Sequence, residues 1–140
     1  MIEIISRAFI IREGKLLLCK ALNGGHYYLP GGHVEFGENA ESSLQREMIE
    51  ECNQSITNIK FIGVFENKWG EPAHHEYNML YTAELSPESI EVVSKEDHIA
   101  FEWVSFEKLG EVTFYPKEFL DRIVLWCKEG GNVYFSTIDK

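Results

Sequence analysis

A mixed β-sheet with helices packed on its faces is the fold class this sequence predicts, and three observations lead there. Apolar, β-branched runs separated by glycine-bearing turns recur along the chain, as strands do. Two stretches far apart, one ending near Cys52 and one near Cys127, carry apolar residues at helical spacing. Strands and helices alternate too irregularly for a doubly wound parallel sheet, which makes a mixed sheet the better fit. The 140 residues, 44% of them hydrophobic and 13% aromatic, are enough for one core and too few for two, so residues 1–140 are expected to form a single domain.

The first element is the apolar run Ile4 to Ile11, which the turn Arg12-Glu13-Gly14-Lys15 and a second run, Leu16 to Cys19, make into a hairpin. Past Asn23-Gly24-Gly25, Tyr27 to Leu29 is a short strand stopped by Pro30-Gly31-Gly32, and Val34 to Phe36 forms another before Gly37. Asn39 then suits a helix N-cap, and Ala40, Leu44, Met48 and Cys52 form an apolar stripe that buries one side of the helix. Ile59 to Phe65 and Tyr77 to Leu85 are the next strands, with a polar loop between them that carries Trp69, Pro72, His74 and His75. A polar segment, Ser86 to His98, leads to a strand at Ile99 to Val104, after which Ser105 caps a short helix through Leu109. Pro116 opens a C-terminal helix of about fourteen residues that carries Phe119, Leu120, Ile123, Val124 and Cys127 and stops at Gly130-Gly131.

The formal net charge of −10 argues against a nucleic acid polymer as partner, because proteins that bind a phosphate backbone carry a basic face. It admits a nucleotide, provided metal ions lie between the phosphates and the protein's carboxylates. Cys19, Cys52 and Cys127 are odd in number, widely spaced and without a C-x-x-C pair. That is the pattern of reduced thiols in a cytoplasmic protein, and neither a disulfide framework nor a zinc site. The start, MIEIISR, lacks the basic region and long apolar core of a signal peptide, and no apolar run nears the ~18 residues of a membrane span. A cytoplasmic protein with no membrane partner is expected.

Residues 32–53, GHVEFGENAESSLQREMIEECN, run against local energetics. In a helix at about 100° per residue, Glu47, Glu50 and Glu51 fall within roughly a 100° arc. Like charges at those spacings repel, and Glu50 and Glu51 also sit near the negative end of the helix dipole. Such departures concentrate at functional sites, and the simplest compensation is a bound divalent cation.

The same stretch carries a family resemblance. Gly32, five residues, Glu38, seven residues and then Arg46-Glu47-Met48-Ile49-Glu50-Glu51 resembles the signature of the Nudix hydrolase superfamily in its MutT-like form. With each fixed residue type at roughly 6 to 7% of average composition, chance agreement at six positions is on the order of 1 in 10⁷ per window. YLPGGHVEFGE and the later FEWVSFEKL, Phe101 to Leu109, extend the likeness. Asn53 and Gln54 depart from it, standing where the signature has Gly and a bulky apolar residue. Asn is the next-best residue for a left-handed helix cap, and Ile56 is at hand to replace the apolar anchor.

The resemblance implies a Nudix α/β/α sandwich, a mixed sheet with helices on both faces. It implies hydrolysis of a nucleoside diphosphate linked to another moiety, with water attacking phosphorus to give a monophosphate and either a second phosphorylated product or pyrophosphate. Mg²⁺ or Mn²⁺ is the implied cofactor, because an anionic diphosphate can approach an anionic helix only across a hard, oxygen-liganded cation. By the resemblance Glu47 and Glu51 are the leading ligands and Glu50 the third, with a backbone carbonyl of Gly31 or Gly32 completing the shell. Arg46 precedes Glu50 by four residues, the weaker orientation for a helical ion pair, so a planar fork that holds a ligand carboxylate is the better account of it. Glu38 either ties the loop to the helix or is ordinary first-turn acidity. The general base comes from the helix carboxylates or from a later loop, where Asp97, six residues before Trp103, is preferred to its neighbour Glu96; a solvated loop is the plain alternative.

Other residues are weaker candidates. His74-His75-Glu76 invites a metal, but adjacent histidines on a strand point to opposite faces. His26, His33 and His98 are loop or supporting groups near the cleft. Tyr27, Phe65, Trp69 and Tyr81 are candidate base platforms whose plainer role is core burial, and Arg7 and Lys20 are either phosphate or ribose contacts or ordinary strand-surface charge. Nucleoside triphosphates, nucleotide sugars such as ADP-ribose and dinucleoside polyphosphates all remain open as the small-molecule substrate. Family habit admits a homodimer, which no stretch of the sequence shows. The alternative is a Nudix fold that senses a ligand or binds a partner without turnover; the unbroken carboxylate set favours the enzyme.

Overall fold

The computed structural model describes residues 1–86 and 91–138. Strand β1 (Ile2–Arg12) turns at Glu13-Gly14 into β2 (Lys15–Ala21). Both turn residues have positive φ, 51° and 74°, the twist that two-residue hairpin loops need. The hairpin pairing is brief, Ile11 with Leu16 and Arg12 with Lys15, and then the two strands part. β2 pairs with β3 (Tyr27–Tyr28) and, from Lys15 opposite Ser105 to Ala21 opposite Ile99, with β7 (Ile99–Ser105). β1 instead pairs antiparallel with β4 (Gly31–His33) and parallel with β6 (His74–Leu85). β6 continues to β5 (Ile56–Trp69), and β5 takes β8 (Val133–Ser136) in parallel as the last strand. The sheet is therefore mixed, and the parting of β1 from β2 opens it between β4 and β3.

Because side chains alternate along a strand, β1 and β2 feed two cores at once. Phe9, Leu16 and Leu18 pack with Phe65, Leu80, Phe119 and Ile123 of helix α2 (Leu120–Glu129). Ala8, Ile10 and Leu17 pack with Leu44, Met48 and Cys52 of helix α1 (Ala40–Cys52). One helix thus covers each face, as the α/β/α expectation requires. Leu44, Met48 and Ile123 are fully buried, each contributing roughly 1.5–3 kcal/mol of apolar transfer.

Where elements differ from expectation, packing gives the reason. The strand after Pro30 is Gly31–His33 rather than Val34–Phe36. A Cβ on Gly31 would overlap the Ser6 carbonyl oxygen, so only glycine lets this segment lie against β1, and Phe36 is left fully exposed. β5 and β6 run on to Trp69 and His74, so these two and His75 are strand residues and the loop is only 70–73. Trp69 and His74 face each other with rings stacked 4.4 Å apart, a cross-strand contact that prolongs the hairpin.

β7 pairs through Ser105, which caps with its carbonyl, not its side chain, accepting from the Lys108 amide at 3.0 Å; a 3₁₀ turn, Leu109–Glu111, follows. Pro116 is extended, with ψ 138°, and precedes a 3₁₀ turn, Lys117–Phe119, so the final helix is α2 alone, ten residues long. Phe119 lies flat against Phe65, ring centroids 4.2 Å apart, which fixes the chain before α2 begins. β8 is too short to show a strand pattern; a Cβ on Gly63 would overlap the Val133 carbonyl oxygen, so glycine is what admits it beside β5. In the polar segment 86–98, residues 87–90 lie outside the described residues, and 91–98 carry neither helix nor strand.

Candidate active site

Helix α1 is fixed at both ends. Asn39 Oδ1 accepts from the Ser42 amide at 2.8 Å, satisfying one of the unpaired donors of the first turn. The Ser6 hydroxyl of β1 donates to the Ala40 carbonyl at 2.7 Å, and the Ser43 hydroxyl donates to the His33 carbonyl at 3.2 Å. At the exit Asn53 is left-handed, φ 54° and ψ 37°, and its amide donates to the Ile49 carbonyl at 2.9 Å. Asn53 fills the place of the expected glycine, and Ile56, 4% exposed, joins Met48 and Cys52 in the core in place of Gln54.

Arg46 is the hub of the polar face. Its Nε and Nη2 donate to the two oxygens of Glu38 at 2.8 and 3.0 Å, a bidentate fork. Nη2 also donates to the His33 carbonyl at 3.0 Å. Nη1 reaches Glu47 Oε1 at 3.0 Å and Glu50 Oε2 at 3.1 Å. The Arg46 fork, first among causes, holds the Glu38 carboxyl down at about 2. Glu38 therefore ties the loop to the helix, helped by the Glu35 amide at 3.1 Å.

Glu47 and Glu51 occupy the inner side of this face. The Glu47 carboxylate lies where a Cβ on Gly32 would be, so the glycine leaves a cradle for it. Glu51 is pushed well above the ordinary carboxylate range, first by burial, then by the charge and hydrogen bond of Glu47; Glu96 adds to the rise and Arg7 opposes it. Two carboxylates held together in this way call for positive charge between them, and hard oxygen donors fit Mg²⁺ or Mn²⁺. Glu50 is more open, its side chain 58% exposed, and shares the Arg46 nitrogen with Glu47. Among the described residues no three His, Cys, Asp or Glu side chains converge as a ready-made metal cage; Glu47 and Glu51 make a pair, and Glu50 stands beside it.

In the later loop, Glu96 is the acid that acts on Glu51. Asp97, which spacing preferred, is exposed in the turn before β7. The Lys95 amide donates to the Glu51 carbonyl at 2.7 Å, which ties this loop to the end of α1.

Arg7, whose charge acts on Glu51, lines a cleft of about 790 Å³ on the face of the sheet that carries Phe65, Leu80 and Phe119. It donates from Nη1 to the Leu29 carbonyl at 2.9 Å and from Nε to Asn78 Oδ1 at 3.2 Å. Tyr28, Phe65, Trp69, Tyr115 and Phe119 also line the cleft. Of the four aromatic candidates, Phe65 and Trp69 are there, whereas Tyr81 packs in the α1 core and Tyr27 lies under the Lys20 ammonium, 5.5 Å from its ring centroid. His26 lines the cleft and stacks on Tyr115; His33 meets Glu3 at 2.7 Å and His98 meets Glu96 at 3.4 Å. His74 and His75 form no joint site, His74 turning to Trp69 and Glu3 and His75 to Tyr77.

The family model described as "NUDIX domain" matches residues 4–126. The chain belongs to the Nudix family. Within the stretch that aligns, it is 34% identical over 86 residues to the NAD-capped RNA hydrolase NudC of Haemophilus influenzae strain Rd, covering 61% of this chain and 31% of that protein; the chain thus spans about a third of the length of that relative. It is 25% identical over 120 residues to the ADP-ribose pyrophosphatase of Methanocaldococcus jannaschii, covering 84% of this chain and 70% of that one. The crystal structure of a MutT NUDIX hydrolase from Burkholderia pseudomallei superposes with TM-score 0.74 at 23% identity, over 86% of this chain and 95% of that one.

Several residues that line the cleft of this Nudix domain are not marked in the sequence as cleft residues. Asn67 falls in what the sequence presents as a polar loop, Glu76 stands out only beside the two histidines, Asn78 looks like ordinary strand polarity, and Tyr115 like loop. Strand alternation alone marks one of them out: Asn78 lies two residues from Leu80 on β6, so a polar side chain faces the same way as a core leucine. No described helix is long and apolar enough to cross a membrane.

Proposed function

We propose that this Nudix domain is a divalent-metal-dependent pyrophosphohydrolase acting on a nucleoside diphosphate linked to another moiety. The observation that carries the reading is the Glu47–Glu51 pair, within electrostatic reach of an Arg7 that lines the 790 Å³ cleft. A cleft of that size holds a nucleotide-sized ligand, and NAD and ADP-ribose, in the names of the two relatives, each contain a diphosphate between two sugars. The net charge of −10 favours recognition of such a small nucleotide portion over a grip on a polymer backbone. Free Cys19, Cys52 and Cys127 suit a reducing cytoplasm.

In this reading Glu47 and Glu51 would hold Mg²⁺ or Mn²⁺, with Glu50 as the third carboxylate and the Gly32 carbonyl as a neutral donor. The bound cation neutralises phosphate charge and lowers the pKa of water. Arg46 keeps Glu47 and Glu50 aimed, and Glu38 keeps Arg46 in place. Arg7 grips diphosphate oxygens from the cleft side, held in that position by Asn78 and the Leu29 carbonyl. Glu96 takes the proton of the attacking water in preference to Asp97.

The test is turnover of ADP-ribose, NAD, a dinucleoside tetraphosphate and nucleoside triphosphates with Mg²⁺ and Mn²⁺, resolving the products. Glu47→Gln and Glu51→Gln should each lower kcat/KM by at least roughly 100-fold while the fold remains, since the transition-state charge at stake is several kcal/mol. Parental rates in both variants would sink the ligand assignment. Ligand binding with no product from any of these compounds would point to a sensing module instead.

A further inference from the structure

Glu76, Asn78 and Leu80 are alternate residues of β6, and all three line the cleft. Asn78 and Asn67 are buried polar side chains, 3% and 5% exposed, and both aim their amide nitrogens at one atom, Glu76 Oε1, at 3.3 and 3.5 Å. Neither amide is free to flip. Asn78 Oδ1 accepts from Arg7 Nε at 3.2 Å, and Asn67 Oδ1 accepts from the Thr137 hydroxyl at 2.9 Å, so reversing either would set donor against donor or leave a bond unmade. Glu76 Oε1 is thereby committed to the protein. Its other oxygen, Oε2, accepts no hydrogen bond among the described residues, and a carboxylate oxygen has two lone pairs to offer.

A half-buried carboxylate is a costly way to close a purely structural network, which a neutral amide would close as well. A carboxylate that accepts only, with one oxygen anchored by two buried amides on a residue that lines a ligand cleft, is instead suited to reading donors with the other. We propose that Glu76 determines specificity at the nucleoside end of the substrate: Oε2 receives a pair of adjacent donors, either N1–H and the 2-amino group of a guanine-type base or the two hydroxyls of a ribose. The choice of a nucleotide as ligand rests on the function proposed above; the acceptor geometry does not. Trp69 and Tyr115, 50% and 56% exposed, line the same cleft and offer flat faces to a ring. An adenine presents one donor beside an acceptor, and the acceptor would meet the carboxylate lone pairs.

Binding of nucleoside 5′-monophosphates, measured by titration calorimetry in metal-free buffer, tests this independently of turnover. GMP, IMP, AMP and 2′,3′-dideoxy-GMP are compared on the parent and on Glu76→Gln, which is isosteric and still offers the buried asparagines an oxygen. If the base is read, the parent binds GMP at least roughly tenfold tighter than IMP or AMP, and Glu76→Gln removes that gap. If the ribose is read, the parent binds GMP at least roughly tenfold tighter than its dideoxy form, and Glu76→Gln removes that gap. Glu76→Asp, which keeps the charge but withdraws it, should weaken the same contrast and serves if the Gln variant does not fold. The proposal is overturned if the parent binds none of the four, if the variants leave all affinities within twofold, or if they weaken all four alike. A failure of the hydrolase reading leaves these contrasts intact, because no product is measured.

Discussion

Gly31 and Gly32 sit side by side at the mouth of the site and are needed for different reasons. A Cβ on Gly31, where φ is 138°, would overlap a backbone oxygen, that of Ser6; a Cβ on Gly32 would overlap the end of a side chain, the Glu47 carboxylate. Backbone cannot move aside without disturbing the β1–β4 pairing, whereas a carboxylate can. Gly31→Ala should therefore cost about 2 kcal/mol or more of stability. Gly32→Ala should unfold near the parental temperature yet bind Mg²⁺ more weakly, because Glu47 is displaced. Thermal denaturation and a Mg²⁺ titration of the two variants separate these effects; a Gly32→Ala protein with parental Mg²⁺ affinity would show that the cradle for Glu47 is dispensable. The same residue-scale view sharpens the charge problem in the motif. Arg46 touches Glu38, Glu47 and Glu50 together, so two of the three crowded glutamates have a partner in the chain itself. Glu51 remains as the carboxylate raised by burial and by its neighbour.

At the scale of elements, α1 depends on its ends as much as on its stripe. Asn39→Ala removes the acceptor for the Ser42 amide and should cost about 1 kcal/mol, read as a lowered midpoint in urea with an unchanged slope; an unchanged midpoint would mean that water satisfies the amide equally well. This helix was legible because each level of its sequence agreed: cap, apolar stripe, charged face and left-handed exit all fall where the structure has them. The hairpin at Glu13-Gly14 was legible for the same reason. Less legible were elements whose boundaries are set by distant partners. β4 exists because glycine can approach Ser6, β8 because glycine can approach Val133, and the start of α2 is set by Phe119 against Phe65. No local pattern carries such information. The site divides along the same line. The carboxylates and Arg46 share one helix, so spacing placed them together, whereas the Arg7–Asn78–Glu76 line depends on how separate strands meet.

For the whole molecule, the paired carboxylates couple stability to pH with a definite sign. In the folded, metal-free chain Glu51 keeps its proton to higher pH than an unfolded glutamate, whose pKa is roughly 4.3. The folded state then binds more protons than the unfolded one across that interval, so stability is fully present below the unfolded pKa and is lost as pH rises through the raised value. Glu38 acts in the opposite sense: held at about 2 by Arg46, it lends stability that is present above the ordinary carboxylate range and lost as pH falls toward 2. From these two groups, stability of the metal-free protein should decline on both sides of the ordinary carboxylate range. In a protein of net charge −10, general self-repulsion also grows with pH, so the variant Glu51→Gln is needed to isolate the local part. Unfolding temperatures between about pH 4 and 9 in EDTA should fall more steeply for the parent than for Glu51→Gln. Saturating Mg²⁺, which binds the folded state, should lift the parent at the alkaline end and leave Glu51→Gln nearly unmoved. Parallel curves for parent and variant in EDTA would remove Glu51 as the titrating group. A Mg²⁺ lift of equal size in both would place the cation somewhere other than between Glu47 and Glu51.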